Sequence, residues 1–404
     1  MSRLLRRRLG AYLRSSGQLM FWMVVRAAAL AVPVVVLSRL FGAGDYGKFI
    51  AVASIPAFLW PFAGLGLSGI LVRDGARHPQ YIDDLLASAL RTWAWSTLAC
   101  MVLACLVGSM LLRGEIPMPA ALALIAAEVA STSLVDLLMR SQQARHHAAR
   151  FGAINAGLPV ARLIALLAYW LAGRHTLGGW MWTYAGSGIV YAIVLVVWLK
   201  PKMRAHADAP RLRIREGLSV GSAALVLRLQ AEFNKPFLAH LGFDQAAHMG
   251  VAQRAVDFAN LPLLALQETL WPRFYADGEG HAQMRKAALA LVSTGLLLGA
   301  MLWFCAGLVP WLLGADFDHA VSTIRWLAWL PVVQLLRNIS NFSVLAANQA
   351  GIFGVSYLIG ALVAVGSTVT LVPAYGMAGA LATAYMGEVG IIAIQQLLLC
   401  RRKR

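Results

Sequence analysis

The sequence predicts an all-α, polytopic integral membrane protein of about twelve transmembrane helices. They are expected to form two pseudo-repeated six-helix lobes around a central cavity. Three observations predict this. First, apolar residues make up 59% of the 404-residue chain and charged residues only 13%, with a mean hydropathy of +0.67, whereas soluble domains carry roughly 25% charged residues. Second, the uncharged runs 49–72, 92–112, 176–199 and 287–314 each exceed the ~20 residues that cross a bilayer core. Third, a basic interval at the midpoint, 200–217, separates two hydrophobic blocks that resemble each other.

The resemblance of the blocks is a shift of 200 positions. It places Phe41-Gly42 on Leu241-Gly242, Lys48 on His248, Ala51 on Val251 and Arg73 on Arg273, with His78 close to His281. So long a period does not suit a solenoid; it suits a transporter whose halves are internal repeats. The expected organisation is a lobe over 1–199, a cytoplasmic basic linker over 200–217 and a second lobe over 218–404. The length rule places spans at 18–40, 49–72, 86–112, 118–139, 151–171 and 177–199. In the second half it places them at 218–238, 247–271, 287–313, 321–347, 352–372 and 377–399. Arg3, Arg6, Arg7 and Arg8 precede the first apolar stretch as in a signal peptide, but 18–40 is too long for an h-region of roughly 7–15 residues. It reads as a retained first span.

Orientation follows from the cations. With the N-terminus inside, the inner segments carry the N-terminal arginines, Arg73, Arg77, Arg91, Arg140, Arg145, Arg150, the linker, Arg273, Arg285, Lys286 and the closing Arg401–Arg404 run. The outer segments carry little beyond Lys48, Arg113, Arg174 and Arg325, and they show Asp45, Asp244, Asp316 and Asp318. Both termini are therefore expected in the cytoplasm. The net charge of +17 is accounted for by these loops, which fix orientation and meet anionic lipid head groups. No nucleic-acid motif accompanies it.

Several chemistries are excluded by the same reading. Cys100, Cys105 and Cys305 lie inside spans and Cys400 at the end of the last, with no metal spacing. There is no Walker motif, nucleophile elbow or His/Cys/carboxylate cluster, so neither an enzyme nor a cofactor is expected.

The informative residues are the polar ones at membrane depth, where a charge costs at least ~2.5–3.5 kcal/mol on insertion scales. The spans at 86–112, 177–199 and 287–313 are free of charge through their centres, as lipid-facing helices should be. Elsewhere Trp22 and Arg26 share a face, and Glu128, Thr132, Asp136 and Arg140 recur every four residues. Asn155, Pro159 and Arg162 follow, then Arg228, Gln230, Glu232, Asn234 and Lys235. The later spans add Gln253, Arg254, Asp257 and Asn260; Gln334, Arg337, Asn338 and Asn341; and Glu388. Pairs such as Arg228–Glu232 can neutralise themselves locally, but polar stripes on helices of both halves imply a shared hydrated cavity. Its expected lining is Arg26, Arg162, Arg228, Lys235, Arg254, Arg337, Asn338 and Asn341. Glu128, Glu232 and Asp257 are the candidates for coupling to an ion.

One stretch carries a family resemblance. RLFGAGDYGKFIAVASIPAFLWPFAGLGLSGILVRDGARH, residues 39–78, resembles the signature of the first two spans of Wzx-like polysaccharide flippases. These belong to the multidrug/oligosaccharidyl-lipid/polysaccharide exporter superfamily. The stretches GADFDHAVSTIRWLAWLPVVQLL (314–336) and AANQAGIFGVSYLIGALVAV (346–365) are similar to later parts of that family. The resemblance implies two six-span lobes around a V-shaped cavity. It also implies alternating access that carries an undecaprenyl-diphosphate-linked oligosaccharide from the cytoplasmic to the periplasmic leaflet of the bacterial inner membrane, for O-antigen, exopolysaccharide or capsule synthesis. A polysaccharide polymerase and a chain-length regulator are the implied protein partners, beside membrane lipids. The rival readings are a MATE-type multidrug/cation antiporter, expected to have an acidic first span where this chain has Arg26, and a membrane-embedded polymerase or ligase, expected to have a large periplasmic loop.

Overall fold

The computed structural model describes residues 3–112, 116–202, 214–275, 281–346 and 349–403. Much of the 200–217 linker lies outside them. The described chain is a succession of helices with no strand. Helix α1 (Arg3–Leu59) turns at Gly42, whose φ of 65° belongs to the left-handed region that glycine tolerates. It is followed by α2 (Leu67–Arg77), α3 (Ile82–Leu111), α4 (Met118–Ala144), α5 (Ala148–Leu171) and α6 (Leu177–Leu199). The second half comprises α7 (Ile214–Glu232), α8 (Asn234–Leu241), α9 (Phe243–Tyr275), α10 (His281–Cys305) and α11 (Val309–Leu313). It closes with α12 (Asp318–Leu327), α13 (Leu330–Ala346), α14 (Ala350–Tyr375) and α15 (Met377–Lys403).

Eight described stretches are long and apolar enough to cross a membrane, which makes this a polytopic membrane protein. The first, Gly17–Arg77, runs for 61 residues, ample for two crossings of ~20 residues each. The expected spans at 218–238, 247–271 and 321–347 are helical but are not among the eight. Polar residues interrupt α9, and breaks divide the other two into α7–α8 and α12–α13.

The expected span at 49–72 is not one helix. It unwinds between α1 and α2 through a 3₁₀ turn, Trp60–Phe62, and then Gly64, Leu65 and Gly66 at φ 91°, 52° and 68°. The cause is local: Pro61 has no N–H to continue the helical ladder, and two glycines make the left-handed backbone accessible.

The chain divides into two compact units, Met1–Leu40 with Val52–Leu225 and Phe41–Ala51 with Val226–Arg404. In the first, Leu71, Leu85, Leu138, Ile154 and Leu195 bring α2 to α6 together in one buried cluster. Helix association in lipid depends on close packing more than on solvent exclusion, and small residues permit it. A Cβ on Gly157 would lie 2.1 Å from the Tyr191 hydroxyl. In the second unit, 41–51 packs on α9. A Cβ on Gly47 would lie 1.7 Å from the Phe243 carbonyl oxygen, and Gly250 closes on Ile50, the residue 200 positions earlier. Tyr46 stacks edge-on against Phe317, with ring centroids 6.1 Å apart.

The charge-free helices behave as the sequence leads one to expect. Trp95, Leu103 and Met110 on α3, Val190, Val194 and Val197 on α6, and Leu297, Met301 and Phe304 on α10 are exposed, as lipid-facing side chains are.

Candidate functional site

The largest collection of the expected site residues lies in the second unit, where a proline breaks a span. Pro236 interrupts the passage from α7 to α8 because it cannot donate to the carbonyl four residues back. Beside the break, Gln253 of α9 donates its amide N–H to the carbonyl of Ala231. Glu232 pairs with Lys235, which is buried. Asp257, one turn beyond Gln253, lies within electrostatic range of Arg254, Glu232, Lys235 and Arg228. Five of the residues singled out from the sequence therefore form one cluster of three cations and two carboxylates. Glu232 has Lys235, three residues on, as an ion-pair partner that the i,i+4 spacing of Arg228 and Glu232 did not record.

Two buried amides on the same broken span stand out. The side chains of Gln230 and Asn234 have no hydrogen-bond partner for either amide atom among the described residues. Gln230 is cradled by glycines: a Cβ on Gly387 would lie 3.1 Å from its Nε2, and one on Gly360 3.4 Å. Orphaned buried amides are costly, about 1–3 kcal/mol each, so they mark a position where a ligand or water completes the structure.

A polar trail leads away from the cluster. Asn260 of α9 donates to Gln334 of α13 at 2.8 Å. One turn further, Arg337 donates to Glu388 of α15 at 3.0 Å and to Asn338 at 3.3 Å. Both members of the ion pair are buried. Asn341 then donates to the Tyr357 hydroxyl at 2.9 Å and accepts from Gln395 at 2.7 Å, while Gln395 also reaches Ser356 at 3.1 Å. The structure thus places Arg337 and Asn338 in one hydrogen-bonded group with Glu388, and Asn341 in a second, with Tyr357, Gln395 and Ser356. Gln395, fully buried, was missed from the sequence, although it lies two turns from Glu388 on the same face, a spacing that could have found it.

In the first unit Arg162 pairs with Glu128 across α5 and α4, and Thr132 donates to the same carboxylate at 2.9 Å. Its guanidinium lies over the Tyr184 ring, 4.3 Å from the centroid, a cation–π contact. Arg140 holds Asp136 at 3.4 Å. Arg26 is half-buried on α1. At one end of the same unit Asp83 joins Arg145 and Lys202, the latter at 3.4 Å. No group of three or more metal-ligating side chains occurs among the described residues.

This arrangement of helices is one already seen in transporters. The chain is similar in fold to the inward-facing form of a multidrug resistance MATE family transporter of the MOP superfamily, with TM-score 0.66 and 14% identity over 93% of this chain and 94% of that one. It is also similar to the outward-facing form of a multidrug resistance MATE family transporter of that superfamily, with TM-score 0.63 and 17% identity over 97% and 96%. A third structure is a Pyrococcus furiosus transporter of the MOP superfamily, described as having a binding pocket of reversed polarity that suggests a different function. It gives TM-score 0.62 and 16% identity over 97% and 94%. No family model matches the sequence, and no curated protein matches it.

Proposed function

We propose that the protein is an alternating-access transporter of the inner membrane that flips an undecaprenyl-diphosphate-linked oligosaccharide to the periplasmic leaflet. The observation that carries this reading is the cluster of Arg228, Lys235, Arg254, Glu232 and Asp257. Its cations outnumber its carboxylates at membrane depth, beside amides that lack partners. Guanidinium groups suit diphosphate oxygens because their planar fork gives two parallel hydrogen bonds. Gln230 and Asn234 add neutral donors and acceptors of the kind sugar hydroxyls require. In this reading the diphosphate is taken by the cations of the cluster, Arg228, Lys235 and Arg254, of which Lys235 also pairs with Glu232. Arg337 is engaged with Glu388 and Asn338, and Asn341 with Tyr357 and Gln395; in this reading they shape the wall of the site. Arg162 is likewise engaged with Glu128. The polysaccharide polymerase and chain-length regulator of such a pathway are the proposed protein partners, and no catalytic step is assigned to the chain.

A second reading, MATE-type export of organic cations, is favoured by the solved structures of similar fold. Against it stands the pairing of three of the embedded carboxylates: Glu128 with Arg162, Glu232 with Lys235 and Glu388 with Arg337. Reconstitution in proteoliposomes separates the two. A fluorescent undecaprenyl-diphosphate disaccharide should become accessible to an impermeant quencher on the opposite face at a rate set by the protein. Uptake of tetraphenylphosphonium without movement of the lipid would replace the first reading by the second.

A further inference from the structure

The first unit does not end at the basic linker. It extends to Leu225, so the opening turns of α7 belong with α2 to α6, and the chain passes to the second unit inside a helix. A contact between backbones explains this. Gly217 and Gly221, one turn apart on α7, face the left-handed end of the break in the second span. A Cβ on Gly66 would lie 2.2 Å from the Gly217 carbonyl oxygen and 2.5 Å from the Gly221 nitrogen. One on Gly217 would lie 2.6 Å from the Leu65 carbonyl oxygen, and one on Gly221 3.1 Å from the Gly66 nitrogen. We propose that residues 214–225 are a fixed anchor seated in this break, so that the basic linker is a loop of the first unit and not the joint between the two.

The break and the anchor need each other. Irregular backbone at membrane depth persists only where it is buried in protein or lines an aqueous cavity. Gly66, at φ 68°, and both α7 glycines are buried, and the first turns of α7 supply the cover on that side. Glycines four apart let a helix approach another backbone closely, and no side chain could take their place without lifting α7 off the break. Withdrawal of α7 would leave the Leu65 carbonyl and the Gly66 N–H facing lipid, a costly exposure for polar backbone. Such a contact suits a permanent seat better than a gate.

Charges at the two ends of the linker agree with this. At its far end Nη1 of Arg73 on α2 lies 2.7 Å from Oε2 of Glu216, and at its near end Lys202 lies 3.4 Å from Asp83 at the start of α3. Both ends are thus fastened to the same unit. Arg73 is 41% exposed and Glu216 34%, and ion pairs as exposed as these contribute little stability. They set the register of α7, and the glycine contact holds it. The anchor does not depend on what the protein carries.

The test uses the full-length, cysteine-free protein in lipid nanodiscs with nitroxides at Arg73→Cys and Glu216→Cys. Their spectrum should be broadened by mutual spin coupling throughout, with or without an undecaprenyl-diphosphate disaccharide or tetraphenylphosphonium. An unbroadened fraction that appears with either compound means that 214–225 leaves the break, and overturns the fixed anchor. Cutting the folded protein at a protease site placed in the linker should change neither the broadening nor the thermal midpoint. Loss of the broadening after the cut shows that the linker, not the seat, holds α7 there, and overturns the proposal. Gly217→Ala and Gly221→Ala should each lower the thermal midpoint by several degrees, whereas Gly186→Ala, in the same unit with nothing within 4 Å of its Cβ, should not. On a helix that rests on nothing alanine is the better helix former, so unchanged or raised midpoints in both α7 variants also overturn the seat. Should those variants fail to fold, the nitroxide pair still decides, since it alters only side chains at the surface.

Discussion

Arg337 and Glu388, 51 residues apart in sequence, meet inside the second unit with Nη1 2.8 Å from Oε2 and donating to Oε1 at 3.0 Å. Both are more than nine-tenths buried. A buried pair of this kind adds little net stability over apolar side chains of similar size, but breaking it strands a charge. Arg337→Ala should therefore lower stability by about 3–5 kcal/mol, and Arg337→Ala with Glu388→Ala should recover most of the loss. Thermal unfolding of the purified variants in detergent checks this. A double variant as unstable as the single one shows that Arg337 acts through something other than Glu388.

Arg162 and Glu128 form the corresponding pair of the first unit, with the added cation–π contact to Tyr184. Tyr184→Leu should cost about 0.5–2 kcal/mol. A double-mutant cycle on Arg162 and Glu128 should give a coupling energy within the roughly 0.5–3 kcal/mol seen for residues in contact. Additive single effects would mean that the pair is not formed in the membrane.

The fold was largely legible in the sequence, because length and apolar content are all that a crossing requires. Leu177–Leu199 coincides with the span expected there, and the charge-free helices carry the exposed apolar faces. What escaped notice follows from interactions that sequence spacing does not record. Arg162 and Glu128 lie on different helices, so only an i,i+4 rule applied to Glu128 and Thr132 was available, and it found one neighbour of two. Glu388 and its partner Arg337 lie 51 residues apart on different helices, beyond the reach of any spacing rule. The break at Trp60–Gly66 was hidden because the residues around Pro61 are as apolar as those of an unbroken helix.

The orientation read from the cations can be checked directly. In a cysteine-free background, single cysteines at Arg14, His206 and Arg404 should react with an impermeant reagent from the cytoplasmic side only. Cysteines at Asp244 and Asp316 should react from the periplasm. His206 lies in the basic linker, so its label is the decisive one: periplasmic labelling there would reverse every span assignment.

The tightest backbone approach in the second unit is that of Gly47 to Phe243, and it allows a sharp test of packing. An added Cβ would stand 1.7 Å from the Phe243 carbonyl oxygen and 2.4 Å from its carbon. A flexible side chain could move aside from such a contact, but a backbone carbonyl within a helix cannot do so without shifting the helix. Gly47→Ala should therefore separate 41–51 from α9 and lower stability by about 1–3 kcal/mol, the usual scale of overpacking. The loss should exceed that of Gly44→Ala, three residues earlier, where a Cβ meets nothing within 4 Å. In that open position alanine, the better helix former by about 1 kcal/mol, should be neutral or stabilising. Thermal unfolding of the two variants side by side reads the difference. Equal stability of both would show that 41–51 does not rest on α9 as described, and the contacts of Tyr46 with Phe317 and of Ile50 with Gly250 would then be in question as well.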